Sequence, residues 1–597
     1  QLTIVLCDKE GHPCLEIKGL AVEVMGVPSI EDSIDHLLLH PQWQEQSVKA
    51  TAASYDEHKI ILCGMADLSS DHLPQFLEKG KCIELQTIKG YHSERFQQHA
   101  LQLFEVLQQM MKADHKQKIL VQVVIPLQEK ELYDGLWAIL QTAHLENPHM
   151  IGQMIAVETN KSAKEVAEKL KENALSSHPD NIRYENGKRY IANWQVLETT
   201  SKSSVLPWKE GGVYLITGGM GGLGLLFAKE IARHTSKSTL ILTGRSPMDK
   251  KKEVNIQALT AMGMQVVYRQ IDVTDRLAVK HFVEDILKVY GQLHGVIHSA
   301  GIIRDNFIIK KSSSQFMEVM APKTHGLVNL DLACQDCPLD FFIIFSSLAG
   351  GMGNVGQSDY AGASAFMDAY AHYRQRLVEE KKRQGRTISF NWPLWQDGGM
   401  HLDSETEDMM RKSTGMVAME TTRGMKAFYE GLTLPYSQIM VMAGERSRFQ
   451  EMLSRLPIQK APQVDDMSVI NLTPDQDSMT EKATDYIKSF LSAGLKLPTE
   501  QIESDADFMT YGMDSVVVLK LTQQLEEFFG PLPKTLFFEY KTLEELTGYF
   551  LQHHREALTK VLGDSQPKPA SPPVVTEKHQ RRSRRRPKSF RTTPTSS

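Results

Sequence analysis

Short apolar runs alternate with segments of helical period along most of the 597-residue chain. Four such runs come first: KIILCG (59–64), CIELQT (82–87), KILVQVVIP (118–126) and MIGQMIAVE (150–158). Between them, segments such as SERFQQHALQLFEVLQQMMK place apolar residues every three or four positions, which predicts amphipathic helices. Strand, helix, strand in this rhythm predicts a parallel-sheet α/β unit. A longer alternation starts near residue 211. Its predicted strands are 212–218, 238–244, 264–272, 294–301, 340–347, 387–392 and 438–444, and seven strands in this order describe a doubly wound sheet.

The pattern then changes. From 457 to 480 the chain is Pro, Gln, Asp and Ser without apolar period and reads as a linker. Residues 481–556 carry helical patterns only, which predicts a small all-α domain. Residues 564–597 lack apolar residues enough for a core and are expected to be disordered. Within that tail, RRSRRR suits either an acidic surface or, the preferred reading, a solvated linker. The chain opens with Gln1 in a strand-like run and is expected to be cut from a longer polypeptide.

Composition narrows the classes. A net charge of −6 over this length gives no general reason to expect nucleic acid or a membrane as partner. No segment reaches the roughly 20 apolar residues that span a bilayer, and the first residues lack signal-peptide order, so a cytoplasmic location is expected. Six scattered cysteines suit a reducing compartment. The CQDC pair, Cys334 and Cys337, has no second pair to complete a metal site and reads as incidental; no metal is expected.

The segment GGVYLITGGMGGLGLLFAKEIARH runs strand, glycine-rich turn, helix. Gly219, Gly221 and Gly224 fit G-x-G-x-x-G, while Thr217, Gly218, Gly222 and Gly224 equally fit T-G-x-x-x-G-x-G; Leu223 lies within either motif. Both readings set backbone N–H groups and a helix N-terminus against a pyrophosphate. Where an NAD site would carry an acidic residue, the second strand ends in Arg245 and Ser246. A guanidinium suits a 2′-phosphate, which favours NADPH. Asp272 and Val273 are expected beside the adenine, with a polar partner for Asp272 if it is buried, and Ser299, Ala300 and Gly301 under the cofactor. The first α/β unit has MADLSS after its strand, no fingerprint, and is expected only to brace the other.

Reducing a carbonyl by hydride needs a proton donor and a polarising hydrogen bond on the same oxygen. Ser347 ends the fifth strand of the second unit, and Tyr360 follows thirteen residues later at a helix start. An ammonium near a phenol favours its ionised form, and Lys323 in MAPKTHG is the candidate. Together with the fingerprint, these residues resemble the ketoreductase domains of polyketide synthases, a branch of the short-chain dehydrogenase/reductase family, over roughly residues 35–455. The resemblance implies a truncated structural Rossmann half at 35–205, a catalytic NADPH-binding half at 206–456, and catalytic roles for Lys323, Ser347 and Tyr360. The family places an asparagine four residues after the tyrosine; here it is Ser364, which still donates and accepts a hydrogen bond. Activity is expected, with a slow or silent reductase as the alternative. Asp305, in HSAGIIRDNFIIKK, resembles the aspartate of reductases that make D-configured β-alcohols, and Met352 stands where the opposite class carries tryptophan.

Downstream, Asp514 and Ser515 precede a helix with apolar Val518, Leu521, Leu525 and Phe528. Asp-Ser before a helix is also an ordinary N-cap. With GMDS and FFEYKTLEELTGYF, residues 481–556 resemble an acyl carrier domain of four helices, implying 4′-phosphopantetheine on Ser515, installed by a phosphopantetheinyl transferase. The tether would deliver a carrier-bound β-ketoacyl substrate at high effective concentration. Glu526 and Glu527 suit partner docking or a solvated face equally. Residues 1–34 resemble the end of a preceding domain of the dehydratase kind, with a linker. The style resembles bacterial modules in which a ketosynthase works with an acyltransferase acting in trans. The alternative to an enzyme is a scaffold: a silent reductase fold spacing a working carrier.

Overall fold

The computed structural model describes residues 2–7, 13–20, 34–48, 54–66, 68, 72–77, 80–113, 118–198, 206–400, 402–445, 448–449, 476–495, 497–511, 513, 515–530 and 532–563. Two compact units divide the chain: a large one of residues up to 470 with 514–522 and 532–539, and a small one from the remaining residues after 470. The tail read as 564–597 and residues 457–475 of the expected linker lie outside the described residues.

Among the described residues, fourteen strands form one sheet in the large unit. Seven are those of the second alternation, in the order 265–270, 239–244, 213–217, 295–298, 341–347, 386–392, 438–445, all parallel. The first chain segment of this half lies mid-sheet, and the order reverses beside it, which opens a crevice at the carboxyl ends of Val213–Thr217 and Gly295–His298. Strands buried on both faces read as unbroken apolar runs: every residue of Val213–Thr217 and of Ile119–Pro126 is buried.

The sheet continues into the first half through strands that the alternation did not reveal. Ile34–Glu45 pairs antiparallel with 438–445 on one side and with Lys188–Leu197 on the other; Asp180–Glu185 then leads to the parallel set 150–157, 119–126, 57–63 and 81–85. Pro41 argues against a central strand. It is tolerated because pairing with 438–445 ends at Leu39, so the strand has a neighbour on one side only at Pro41. Separately, Leu2–Cys7 and Pro13–Leu20 pair antiparallel as a two-stranded sheet.

The helix Ser358–Glu379 binds the halves together. Phe366 stacks on Phe96 at 4.7 Å, and a Cβ added at Gly135 would stand 2.7 Å from the Gly362 carbonyl, so two glycines let this helix meet Gly135–Glu146 backbone to backbone. Its far end is fixed by Arg374, wholly buried, 2.7 Å from Asp331 and donating to Thr387 at 2.7 Å and to the carbonyls of Gln384 and Gly385.

After 470, the described helices are Gln476–Leu495, Ser515–Phe529, Leu536–Glu539, Leu543–His553 and Arg555–Gly563. The first begins five residues inside the stretch read as linker ending at 480, because its opening turn is polar and carries no apolar period. A fifth helix runs past the expected boundary at 556. Val518, Leu521 and Leu525 are buried as expected, but Phe528 is 52 % exposed and Phe529 takes the buried place, ring to ring with Phe550 at 4.4 Å. Phe529 lies one full turn from Leu525, on the same helix face.

Arg374→Leu leaves Asp331 buried with Arg383 as its remaining cation partner, and a broken buried pair is strongly destabilising. We expect a loss of about 3 kcal/mol in urea unfolding monitored on the large unit.

Candidate active site

The glycine-rich turn is shaped by the backbone approaching the next strand end. Gly218 has φ +65°, a left-handed conformation that favours glycine, and a Cβ there would lie 2.8 Å from the Ser299 carbonyl. A Cβ at Gly222 would collide with the Gly398 carbonyl. The helix Gly222–His234 therefore starts bare, with Gly221 as its N-cap and the N–H groups of its first turn lacking intrahelical acceptors. Such an end stabilises an anion. A cradle filled by backbone alone fits the pyrophosphate of a dinucleotide.

The other expected cofactor residues follow the carboxyl ends of strands close to Val213–Thr217 in the sheet. The Ser299 N–H donates to the Thr217 carbonyl at 3.2 Å, tying the two strand ends together, and Thr217 Oγ1 is 2.8 Å from His298 Nδ1. Arg245 and Ser246 are exposed where the second strand ends, their carbonyls accepting from Gln270 and Tyr268. Asp272 is exposed rather than buried; its Oδ1 accepts from the Thr274 N–H and hydroxyl at 2.9 and 2.8 Å, an Asx-type turn. Val273 is buried, and its carbonyl accepts from Asn329 at 3.0 Å. Gly301 adjoins the Lys323 side chain, so one residue expected under the cofactor and one expected to be catalytic lie side by side.

Lys323 projects from the helix Ser313–Ala333 and is 3 % exposed. Its Nζ lies 4.4 Å from the centroid of the Tyr360 ring and 3.5 Å from the Phe345 carbonyl. Burial lowers Lys323 to about 8, while the charge of Asp368 pulls the other way. Burial pushes the Tyr360 phenol up to about 12, with the Ser347 hydroxyl pulling it down. The ammonium thus faces the ring, and desolvation outweighs the ionising influence expected from the sequence. Ser347 ends its strand and caps the short helix Leu348–Met352, its Oγ accepting from the Ala349 N–H at 3.2 Å. Lys323, Ser347 and Tyr360 are brought together.

Ser364 sits one turn beyond Tyr360, wholly buried, and its hydroxyl has no hydrogen-bond partner among the described residues; its carbonyl accepts from Ser346 at 3.1 Å. Asp305 is exposed, and both its carboxylate oxygens accept from Gln357 Nε2 at 3.0 Å, linking that loop to the start of the Tyr360 helix. Met352 packs beside the buried cluster of Leu37, Leu39, Met440 and Met442. Asp368 escaped the sequence reading. It lies two turns beyond Tyr360, accepts from Ser389 and Asn391 at 2.6 Å each, and is raised to about 7 by burial. Asn391 also donates to the Ser347 carbonyl at 2.9 Å, so the network underpins the strand end that presents Ser347. The signal was available: a carboxylate at i+8 from Tyr360 shares its helix face in an otherwise apolar stretch.

Ser515 opens the helix Ser515–Phe529, with its side chain and Asp514 outside the described residues. Cys334 and Cys337 are free and buried. Among the described residues no group of three His, Cys, Asp or Glu side chains suits a metal, and no helix is long and apolar enough to cross a membrane.

Comparison with known proteins gives two family matches: "KR domain" over residues 212–397 and "Phosphopantetheine attachment site" over 485–550. The chain is similar to polyketide synthase PksL of Bacillus subtilis, 41 % identical over 96 % of the chain, and to PksN of the same organism, 38 % identical over 94 %. It spans only 13 % and 10 % of their lengths. A crystal structure of a ketoreductase domain from the bacillaene assembly line is 41 % identical, with a TM-score of 0.66, covering 70 % of this chain and 100 % of that one.

Arg245→Ala removes the cation at the second strand end. The expected result is an approximately tenfold weaker NADPH affinity, about 1.4 kcal/mol, with NADH affinity unchanged, read by nicotinamide fluorescence titration.

Proposed function

Because the chain belongs to the polyketide synthases, as a ketoreductase domain of the short-chain dehydrogenase/reductase type followed by a carrier domain, we propose that Tyr360, Ser347 and Lys323 reduce a carrier-bound β-ketoacyl thioester to the β-hydroxyacyl thioester. The observation that carries this reading is the buried Lys323 Nζ held 4.4 Å from the Tyr360 ring, with the Ser347 hydroxyl beside the phenol. NADPH, held by Thr217, the turn Gly218 to Gly224, Arg245, Ser246, Asp272, Val273 and Ser299 to Gly301, supplies the hydride when bound.

The chain's own groups handle charge and protons. Ser347 donates a hydrogen bond to the β-carbonyl oxygen and polarises it. Reduction needs an acid, and a phenol held at about 12 is fully protonated at neutral pH. Tyr360 gives its proton to the developing alkoxide, and the Lys323 charge stabilises the phenolate left behind. Asp305 is tied through Gln357 to the start of the Tyr360 helix, and its resemblance to the aspartate of D-specific reductases argues for a D-configured product. The same reading takes Ser515 as the attachment point of the phosphopantetheine arm, added by a phosphopantetheinyl transferase. It also takes a ketosynthase and an acyltransferase acting in trans as partners, in a cytoplasm that keeps Cys334 and Cys337 as thiols.

One observation favours the scaffold alternative: the partnerless hydroxyl of Ser364 where the family carries asparagine. Incubation with NADPH and a β-ketoacyl thioester separates the two. We expect nicotinamide oxidation, a fall of about 10²- to 10⁴-fold in kcat/KM for Tyr360→Phe, and a D-alcohol by chiral chromatography. No turnover in a protein whose Ser515 still accepts the arm would favour the scaffold, and an L-alcohol would overturn the stereochemical assignment.

A further inference from the structure

The loop carrying Asp305 and the loop leading into Tyr360 are both held from behind by the half that lacks the dinucleotide fingerprint. Glu146, the last residue of the helix Gly135–Glu146, is wholly buried. One of its oxygens accepts from the Ile308 N–H at 2.7 Å and the other from the Gly356 N–H at 3.0 Å. Gln108, from the helix His92–Ala113, donates to the carbonyls of Ile308 and Lys311 at 2.6 and 2.7 Å. On the same helix as Glu146, the Thr142 hydroxyl accepts from the Asn354 N–H at 3.2 Å.

A second buried contact joins the same two loops. Lys311 Nζ lies 2.6 Å from Asp359 Oδ1, with side-chain exposures of 0 % and 1 %, and 3.3 Å from the Gly356 carbonyl. Asp359 Oδ1 accepts from the N–H of Tyr360 itself at 2.8 Å, and the Asn306 N–H donates to the Gly356 carbonyl at 2.9 Å. Buried ion pairs are a weak source of stability, since desolvation offsets the attraction, but they fix register. Burial raises both Glu146 and Asp359, a sign that these carboxyls sit here at a cost. Two carboxyls, an ammonium and a carboxamide converge on two loops of a few residues each, and those loops present Asp305 and Tyr360.

We propose that Glu146 and Gln108, with the Lys311–Asp359 pair, form a bracket that sets the spacing between the Asp305 loop and the Tyr360 helix, making the first half of the molecule a determinant of which face of the ketone is reduced. This rests on the roles of Tyr360 and Asp305 given above. The bracket residues are positioning residues: Glu146 and Gln108 act on the cleft only through backbone groups of the two loops. Loosening them therefore leaves the nucleotide cradle intact and alters how the thioester is seated.

The test uses the full chain with Glu146→Gln, which sets an amide N–H against a backbone N–H, and Gln108→Leu, which removes the other contact without touching a charge. Each is assayed for alcohol configuration, KM for a β-ketoacyl thioester, NADPH affinity by fluorescence, and thermal unfolding. The bracket predicts that both variants lower the ratio of D- to L-alcohol about tenfold and raise the thioester KM, with NADPH affinity held within twofold, a change of about 0.4 kcal/mol or less. Variants with wild-type product ratio and thioester KM would overturn the bracket while leaving the site reading intact. Variants that lose thioester turnover and NADPH affinity together would also overturn it, as a general structural effect. A wild-type protein that is inactive, or that gives both alcohols equally, would count against the site reading itself.

Discussion

A lysine taken out of water beside a phenol is the constraint on which the structure turns. Lys323 is held at about 8 by burial and faces the Tyr360 ring at 4.4 Å, a placement that returns some of the lost hydration through the π face. The neighbouring carboxyl, Asp368, is itself buried and tied by short hydrogen bonds to Ser389 and Asn391. Its charge opposes the loss of the proton from Lys323, so a network two layers deep keeps one ammonium in an apolar wall. The same desolvation holds Tyr360 as an acid at neutral pH, the state that ketone reduction requires.

Meeting that constraint takes the whole large unit. Ser347 comes from a strand end, Lys323 from the helix Ser313–Ala333, and Tyr360 from the helix Ser358–Glu379. The last of these packs on the first half through Gly135, Gly362 and the Phe96–Phe366 stack, and the continuous sheet makes the halves one structural piece. The half without a nucleotide fingerprint is therefore part of the geometry of the site.

What the sequence made legible was set by local signals. Central strands buried on both faces read as apolar runs, and the half-buried edge strands Lys81–Leu85 and Gln265–Gln270 keep enough β-branched or apolar residues to read the same way; all eleven expected strands are present, with ends shifted by up to three residues. The three strands that join the halves were missed for separate reasons. Ile34–Glu45 contains Pro41, and its acceptability depends on pairing that stops at Leu39, a tertiary fact. Asp180–Glu185 and Lys188–Leu197 flank Asn186 and Gly187, at φ 52° and 77°, a hairpin signal that stood in the text unread. In the site, Lys323, Ser347 and Tyr360 were legible because their types and spacing match a chemical need. Asp368, Asn391 and Glu146 were not, since they act by burial and by contacts across long sequence separations.

The central claim, a buried Lys323 whose charge supports proton donation by Tyr360, is tested most directly by the pH dependence of kcat/KM for thioester reduction. A base lowered to about 8 carries its charge below that pH and loses it above, while Tyr360, at about 12, does not ionise in this range. The account predicts a decline above about pH 8, with no such break in Lys323→Met. A wild-type profile level to pH 10, or the same break in Lys323→Met, would contradict it.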